Sequence, residues 1–373
     1  MFVLKGALIY KMLFIKKVDS QNEFSRLKEK WNSLLQGSKS DTVFLTWEWM
    51  YTWWECFQEN KQLFVLAVHD EEENLIGIAP LCIDKKKIGG IPVLNYIKFL
   101  GTMPISSDHL DFIISKGRER EILEAIVEYL FQENRWDLCL LSNMPSTSLT
   151  GKLLEEIMGN RPFQSKISQV CPYISLPTQI VDFHSTLSRN RRNTIKRMRR
   201  NLQKNYNGFE FVIWEEPDSI DIAMERLFEL HEKRWMIVKH KGNFIKNNVR
   251  EFHKKIASIF LNSDMLRLYF LRIKGKDVAA EYTFKYNNKL FDYQGGWDPE
   301  WSRDCVGDVL INLVIEDTIE KGYSEFDFLR GMEDFKTRLT DKAREEVDIF
   351  IPNSVTAKMY LLCRNLYHKM KSR

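Results

Sequence analysis

Twice along this chain the apolar pattern runs through the same order of elements, and that recurrence limits the fold more than any single motif does. In the first half, helical periodicity covers Gln21–Leu35 and an unusually aromatic stretch, Trp47–Phe57. Strand-like runs follow at Leu63–Val68, Leu75–Ile83, Val93–Leu100 and Leu110–Ile114, then a helix at Glu119–Gln132 and a strand at Asp137–Ser142. The second half offers helices at Ser188–Asn205, Ser219–Trp235 and Lys246–Leu261, with a strand at Phe209–Trp214. Three strands, Leu266–Ile273, Asp277–Tyr286 and Lys289–Gly295, are joined by the turns Lys274–Asp277 and Asn287–Asn288. A helix at Asp308–Lys321 and a strand at Glu325–Phe328 come next. The tight polar turns mark antiparallel hairpins. Each half ends on an aromatic/Asp/apolar strand, Trp136-Asp137-Leu138 and Phe326-Asp327-Phe328. The expectation is a mixed α/β or α+β chain of two related lobes, 13–176 and 177–352, with a strand and helix in Val347–Lys371 whose last part, 353–373, forms a terminal helix.

Composition supports a folded protein and removes whole classes. With 373 residues, 44% hydrophobic and 28% charged, the chain is long enough for two cores. There is no glycine period and no apolar run of about twenty residues, which excludes collagen-like and polytopic membrane classes. The six cysteines (56, 82, 139, 171, 305, 363) are scattered with no CxxC pair, so free thiols in a reducing compartment are expected and no metal is required. The opening segment 1–17 resembles a signal peptide, yet Lys5 and Lys11 interrupt it and no small-residue cleavage site follows. It reads as a cytoplasmic start leading into a strand at Leu13–Val18.

The net charge of +4 belongs to one segment. Between Asp182 and Glu210 there is no acidic residue, but there are eight basic ones: Arg189, Arg191, Arg192, Lys196, Arg197, Arg199, Arg200 and Lys204. Removing those eight from 55 Lys and Arg leaves 47 against 51 acids. Ile195, Met198 and Leu202 give this helix one apolar face, leaving a dense cationic surface. Such a surface suits nucleic acid, anionic lipid headgroups or a diphosphate-linked precursor, or it is simply solvated.

The stretch from Asp277 to Lys336 carries the most chemistry. Its ordered signature comprises Gly296, Asp298, Gly307, Asp327-Phe328, Arg330-Gly331 and Phe335-Lys336. Upstream stand Phe44 with Trp47, Trp49 and Trp53, then Pro80-Leu81, the Arg-rich helix, and His231 with Arg234-Trp235. Together they resemble the two-lobed GNAT-type N-acyltransferases labelled cellulose-biosynthesis-associated, relatives of the Fem-type peptidyltransferases. The resemblance implies an α+β fold of two tandem GNAT-like lobes with mixed, largely antiparallel sheets. It also implies acetyl-CoA or another acyl-CoA as co-substrate. The chain departs from the family where Cys305-Val306 replaces Ser-Pro and where Asp308 puts an anion in the first helical turn.

The resemblance and the chemistry of the residues together give the candidates. Val306, Gly307, Asp308 and Val309, with Arg303, would cradle the donor's pyrophosphate at a helix N-terminus, where free N–H groups and the helix dipole attract anions. Lys336 would stabilise the oxyanion as an amine attacks. His231, Glu281 or a relayed water would take the proton, while Asp327, a carboxylate within an apolar strand, would pair with Arg330 or Lys336 or serve as a base. Arg234, Trp235, Asp298, Arg330, Phe335, Asp108 and Arg192 would contact substrate, with Asp111 near Asp108. The Trp47, Trp49, Trp53 and Trp54 cluster suits a stacked sugar or, better, a core.

The function expected from this reading is transfer of an acyl group, acetyl in the first instance, from acyl-CoA to an amine of a sugar or cell-envelope polysaccharide precursor. The protein would be cytoplasmic, or peripheral at the inner membrane face on an anionic surface, with no DNA partner. Two alternatives stand beside it. One is a Fem-like transferase using aminoacyl-tRNA. The other is a non-catalytic GNAT scaffold docking a phosphate-rich partner through residues 188–205.

Overall fold

The computed structural model describes residues 12–88, 91–133, 135–237 and 242–371, so most of the signal-like opening lies outside the described residues. The chain forms two compact units, one built from 1–169 and 345–373 and the other from 170–344.

In the first unit the order is β1 (Phe14–Val18), α1 (Gln21–Ser25), α2 (Lys28–Gly37), α3 (Trp47–Phe57), β2 (Lys61–Leu63), β3 (Val65–His69), β4 (Leu75–Ala79), β5 (Leu81–Ile88), β6 (Ile91–Phe99), β7 (Ile113–Ile114), α4 (Glu119–Gln132), β8 (Leu138–Pro145) and α5 (Leu149–Met158). β9 (Gln164–Ser175) leads into the second unit: α6 (Ile180–Thr186), α7 (Arg189–Tyr206), β10 (Glu210–Ile213), α8 (Ile220–Ile237), α9 (Asn247–Asn262), β11 (Leu266–Ile273), β12 (Lys276–Tyr286), β13 (Lys289–Trp297), α10 (Val306–Glu320), β14 (Glu325–Asp327) and α11 (Asp334–Thr337). β15 (Ala343–Pro352) and α12 (Val355–Lys371) complete the chain.

Both units use one plan. In the first, β2, β5 and β6 pair antiparallel, and α4 then carries the chain to β8, parallel to β6. In the second, β10 to β13 form an antiparallel meander and α10 carries the chain to β14, parallel to β13. A parallel neighbour needs such a crossover, which explains the long helix before each aromatic/Asp/apolar strand. The first unit adds an antiparallel sheet in the order β1-β3-β4-β7. The fold is therefore the expected α+β pair of lobes with mixed, mostly antiparallel sheets.

The domain boundaries at 176/177 and 352/353 need correcting. β15 pairs antiparallel with β8, from Glu346 opposite Pro145 to Pro352 opposite Leu138. β9 pairs with β14 at Tyr173, Ile174 and Ser175. Each unit thus takes a strand from beyond the expected break, and α12 packs on the first unit rather than standing apart. Other differences are local. Gln21–Leu35 is two helices, with Arg26 and Leu27 between them, and Pro80 divides β4 from β5. α5 and β9 were not expected, although Leu149, Leu153, Leu154, Ile157 and Met158 give α5 a helical spacing.

The aromatic helix is core. Trp31, Trp49 and Trp53 are fully buried, and each indole N–H donates to an oxygen: Leu45 O at 2.8 Å, Ser107 Oγ at 2.8 Å and Thr102 O at 2.7 Å. Buried indoles need such partners. On α7 the apolar face expected from Ile195, Met198 and Leu202 is buried against α10 residues such as Leu310 and Val314.

Candidate functional site

The site is built on β12, β13 and the start of α10. Glu281 lies opposite Gly295 in the antiparallel ladder. A register shift after Tyr282 sets Thr283 opposite Asp292, leaving Tyr293 as an extra residue on β13. Because opposed residues share a face, this bulge turns Asp292 to the side on which Glu281 stands. The two carboxyls are hydrogen-bonded. Burial, reinforced by the charge of Asp292, pushes the Glu281 carboxyl well above its ordinary range. Asp292 is raised by burial to about 6, against the pull of Lys336, its bond with Glu281, and Arg234. Two adjacent carboxyls in such a place hold one proton between them near neutrality.

Glycine makes room for this pair. A Cβ at Gly295 would fall 2.1 Å from Glu281 Oε2, and one at Gly296 would fall 2.3 Å from the backbone nitrogen of His231. α8 therefore lies directly on β13, and Arg234 donates to Gly295 O at 3.3 Å.

α10 begins beside the carboxyls. Its N-cap, Cys305, is left-handed (φ 53°, ψ 41°), and the first turn is Val306, Gly307 and Asp308. The N–H groups of a helix's first turn have no partners within the helix. Val309 already belongs to the ladder, donating to Cys305 O at 3.0 Å, and its side chain is core, so it is not part of the cradle. Asp308 is held aside: its carboxylate pairs with Arg191 of α7 at 2.8 Å. A Cβ at Gly307 would lie 3.1 Å from the Trp297 ring, so the bare backbone lets that indole close one wall.

Arg234, Glu281, Val306, Gly307, Asp308 and Phe335 line one cavity of about 170 Å³, with Trp297, Ser302, Cys305 and Ile311. It is narrow, with Trp297, Ile311 and Phe335 as apolar walls, the Glu281 carboxyl on one side and a helix start on the other. A cavity this small takes the reacting end of a donor rather than a whole nucleotide. A wider groove of about 930 Å³ runs past α6, the start of α7 and Thr337–Lys342; its lining includes Arg191, Arg338 and Lys342.

Other candidates have structural duties. His231 is fully buried, its Nε2 accepting from Asn243 N–H at 3.2 Å and its Nδ1–H donating to Gly295 O at 3.1 Å. Burial pulls its pKa down to about 4, and neither nitrogen is left to take an amine's proton. Asp327 accepts from Leu329 N–H at 2.8 Å and pairs with Arg344 at 3.3 Å. Asp298 caps the following 3-10 turn and pairs with Lys233 at 2.8 Å and Lys276 at 3.2 Å. Arg192 donates to carbonyls at the end of α6, including Leu187 O at 2.6 Å. Arg303 is exposed on the 3-10 turn and is not part of the cavity lining. Trp235 packs 5.9 Å from the His231 ring, beneath Arg234.

Lys336 is buried, donating to Arg330 O at 2.8 Å and pairing with Glu333 at 2.9 Å, while its charge acts on Glu281 and Asp292. Asp108 belongs to the first unit, buried with its charge acting on Glu346. Asp111 there accepts from Ser148 at 2.6 Å and from Thr150. Sequence reading missed Asp292, Trp297 and Arg191. The only signal for Asp292 was a lone carboxylate inside the aromatic run Phe291-Asp292-Tyr293.

Residues 189–337 match the family described as an acetyltransferase (GNAT) domain. That segment spans the basic helix, the carboxyl pair and the cavity at α10. This part of the second half is similar to a GNAT domain. No curated protein matches the chain in sequence. Solved structures share its fold at low identity. FemX is 8% identical, with a TM-score of 0.63 over 94% of this chain and 99% of its own. L-PGS from Bacillus licheniformis is 12% identical, with a TM-score of 0.55 over 90% and 96%. The C-terminal domain of a putative lysylphosphatidylglycerol synthetase from Agrobacterium fabrum is 10% identical, with a TM-score of 0.54 over 92% and 95%. Within the matched segment, an acyl-CoA co-substrate suits the residues around α10: among the described residues the first-turn amides have no partner, and Arg191 neutralises Asp308.

Proposed function

We propose that the GNAT-like segment transfers an acyl group from a thioester donor to an amine, with the reacting centre in the cavity between Glu281 and the first turn of α10. The carrying observation is that Glu281, backed by its buried partner Asp292, and a helix N-terminus line one narrow cavity. The amides of Val306, Gly307 and Asp308 hold the donor's phosphate, and Trp297, Ile311 and Phe335 exclude water from the reacting carbonyl. The acceptor amine attacks that carbonyl: a C–N bond forms, the C–S bond breaks, and the amine's proton passes to the Glu281–Asp292 pair. The departing thiolate takes a proton from solvent. Arg234 and Lys336 supply positive charge where negative charge develops. The donor is acetyl-CoA or another acyl-CoA, and the acceptor an amine of a sugar or cell-envelope polysaccharide precursor, as in the cellulose-associated branch this sequence resembles.

A second reading, an aminoacyl-tRNA donor, rests on α7. Arg189, Lys196, Arg197, Arg200 and Lys204 are exposed, with no carboxylate paired to them among the described residues. The fold shared with FemX is consistent with it.

Thermal unfolding with coenzyme A, acetyl-CoA, longer acyl-CoAs and aminoacyl-tRNA separates the two. A ligand at about 100 times its Kd adds about 2.7 kcal/mol, a shift of several degrees. The acyl-CoA reading expects such a shift, abolished by Gly307→Asp, which adds a second carboxylate to the first turn. A shift with tRNA alone, lost in Arg197→Glu/Arg200→Glu, would replace it with the second reading. No shift with either would overturn both.

A further inference from the structure

Helix α12 is held on one side and bare on the other. Ala357 and Leu361 are buried against Leu94, Leu138 and Phe350. The Tyr360 ring meets Tyr96 edge-on at 6.4 Å, and the Arg364 guanidinium lies 4.4 Å from the Phe350 ring. These contacts fix the helix's rotation. On the opposite side, Val355, Met359, Leu362, Leu366 and Met370 are 54 to 77% exposed. At 3.6 residues per turn the five fall within an arc of about 80°. Single exposed apolar residues are ordinary, but five in line along seventeen residues of helix form a continuous strip.

Charge says what covers the strip. From Ile349 onward the sequence has no acidic residue and five cations: Lys358, Arg364, Lys369, Lys371 and Arg373. Lys358 is exposed beside the strip. Two copies meeting through this face would bring like charges together. An anionic bilayer meets both demands, since the acyl–headgroup boundary takes the apolar strip and the lipid phosphates take Lys358 beside it, in a segment with no acid to repel them. Among the described residues no helix is long and apolar enough to cross a membrane, so α12 would lie in the interface.

We infer that α12 docks this protein on an anionic lipid surface through Val355, Met359, Leu362, Leu366 and Met370. The contact is separate from the basic face of α7 and does not depend on the reaction proposed above.

The test is co-sedimentation of the full chain with phosphatidylcholine vesicles, with and without about one third phosphatidylglycerol. The protein should pellet with the anionic vesicles and remain soluble with the neutral ones. Release is expected as salt rises from about 0.1 M to about 1 M, where the screening length falls from ~10 Å to ~3 Å. Leu362→Glu/Leu366→Glu should reduce binding by about tenfold or more, because two carboxylates enter the apolar boundary. Its unfolding temperature should match the parent's, since both positions are exposed. Failure of the parent to pellet at low salt would overturn the inference, as would unchanged binding by that variant. So would loss of binding in Arg197→Glu/Arg200→Glu with none in the α12 variant. A dimer dispersed by Leu362→Glu/Leu366→Glu, with no vesicle binding, would assign the strip to self-association instead.

Discussion

Asp292 and Glu281 share a proton because two carboxyls buried side by side cannot both ionise near neutrality. Asp292 is raised to about 6, so the pair accepts a proton readily only above that pH. kcat/KM should therefore climb as pH rises through about 6 and level off beyond it. Asp292→Asn should abolish that limb and lower the rate by about 10²- to 10⁴-fold, the usual worth of a positioned base. A variant with the parent's rate and profile would remove the pair from the mechanism. Glu281 was legible in the sequence as a carboxylate inside an apolar strand. Asp292 was not, because strict alternation puts it on the opposite face and only the bulge at Tyr293 brings it round. His231 misled for the converse reason: its spacing to Arg234 is right for a site, but both ring nitrogens are occupied in joining α8 to β13 and to Asn243.

α7 and α10 show what a helix contributes beyond its side chains. Ser188 caps α7, its Oγ accepting from Arg191 N–H at 3.2 Å. Ser188→Ala should cost about 1 kcal/mol in chemical denaturation, and Ser188→Asp should restore it. The same turn aims Arg191 at Asp308, so the cap also bears on the proposed donor cradle. The boundaries of the long periodic helices were readable: Trp47–Phe57 and Glu119–Gln132 fall where their patterns place them. The start of α10 was not, because its first turn includes Val306 and Gly307 and its N-cap is a left-handed Cys305 rather than a capping hydroxyl. Asp308, which reads in sequence as a charge hostile to phosphate, is neutralised by a residue 117 positions away.

At the scale of the whole molecule, each compact unit depends on a strand that sequence order assigns elsewhere. β15 supplies Ile349, Phe350 and Ile351 to the first unit, all buried, and pairs along β8. A chain ending at Arg344 would leave the β8 edge open and uncover Leu94 and Leu138, which Phe350, Ala357 and Leu361 otherwise cover. Hydrogen exchange should then lose protection in β8 while β11 to β13 keep theirs, since the second unit retains every strand of its own sheet. Equal loss in both would refute the division into units.

The sequence by itself determined the class of fold, the order of its elements and the segment in which the candidate site lies. Those follow from local causes: hydrophobic period, turn residues, and glycines where a backbone must come close. Tertiary structure alone decided which strands pair, that a bulge brings Asp292 to Glu281, that Arg191 masks Asp308, and that one face of α12 is left bare. Each of these depends on groups far apart in the chain, and no local pattern records which distant partner a side chain will meet.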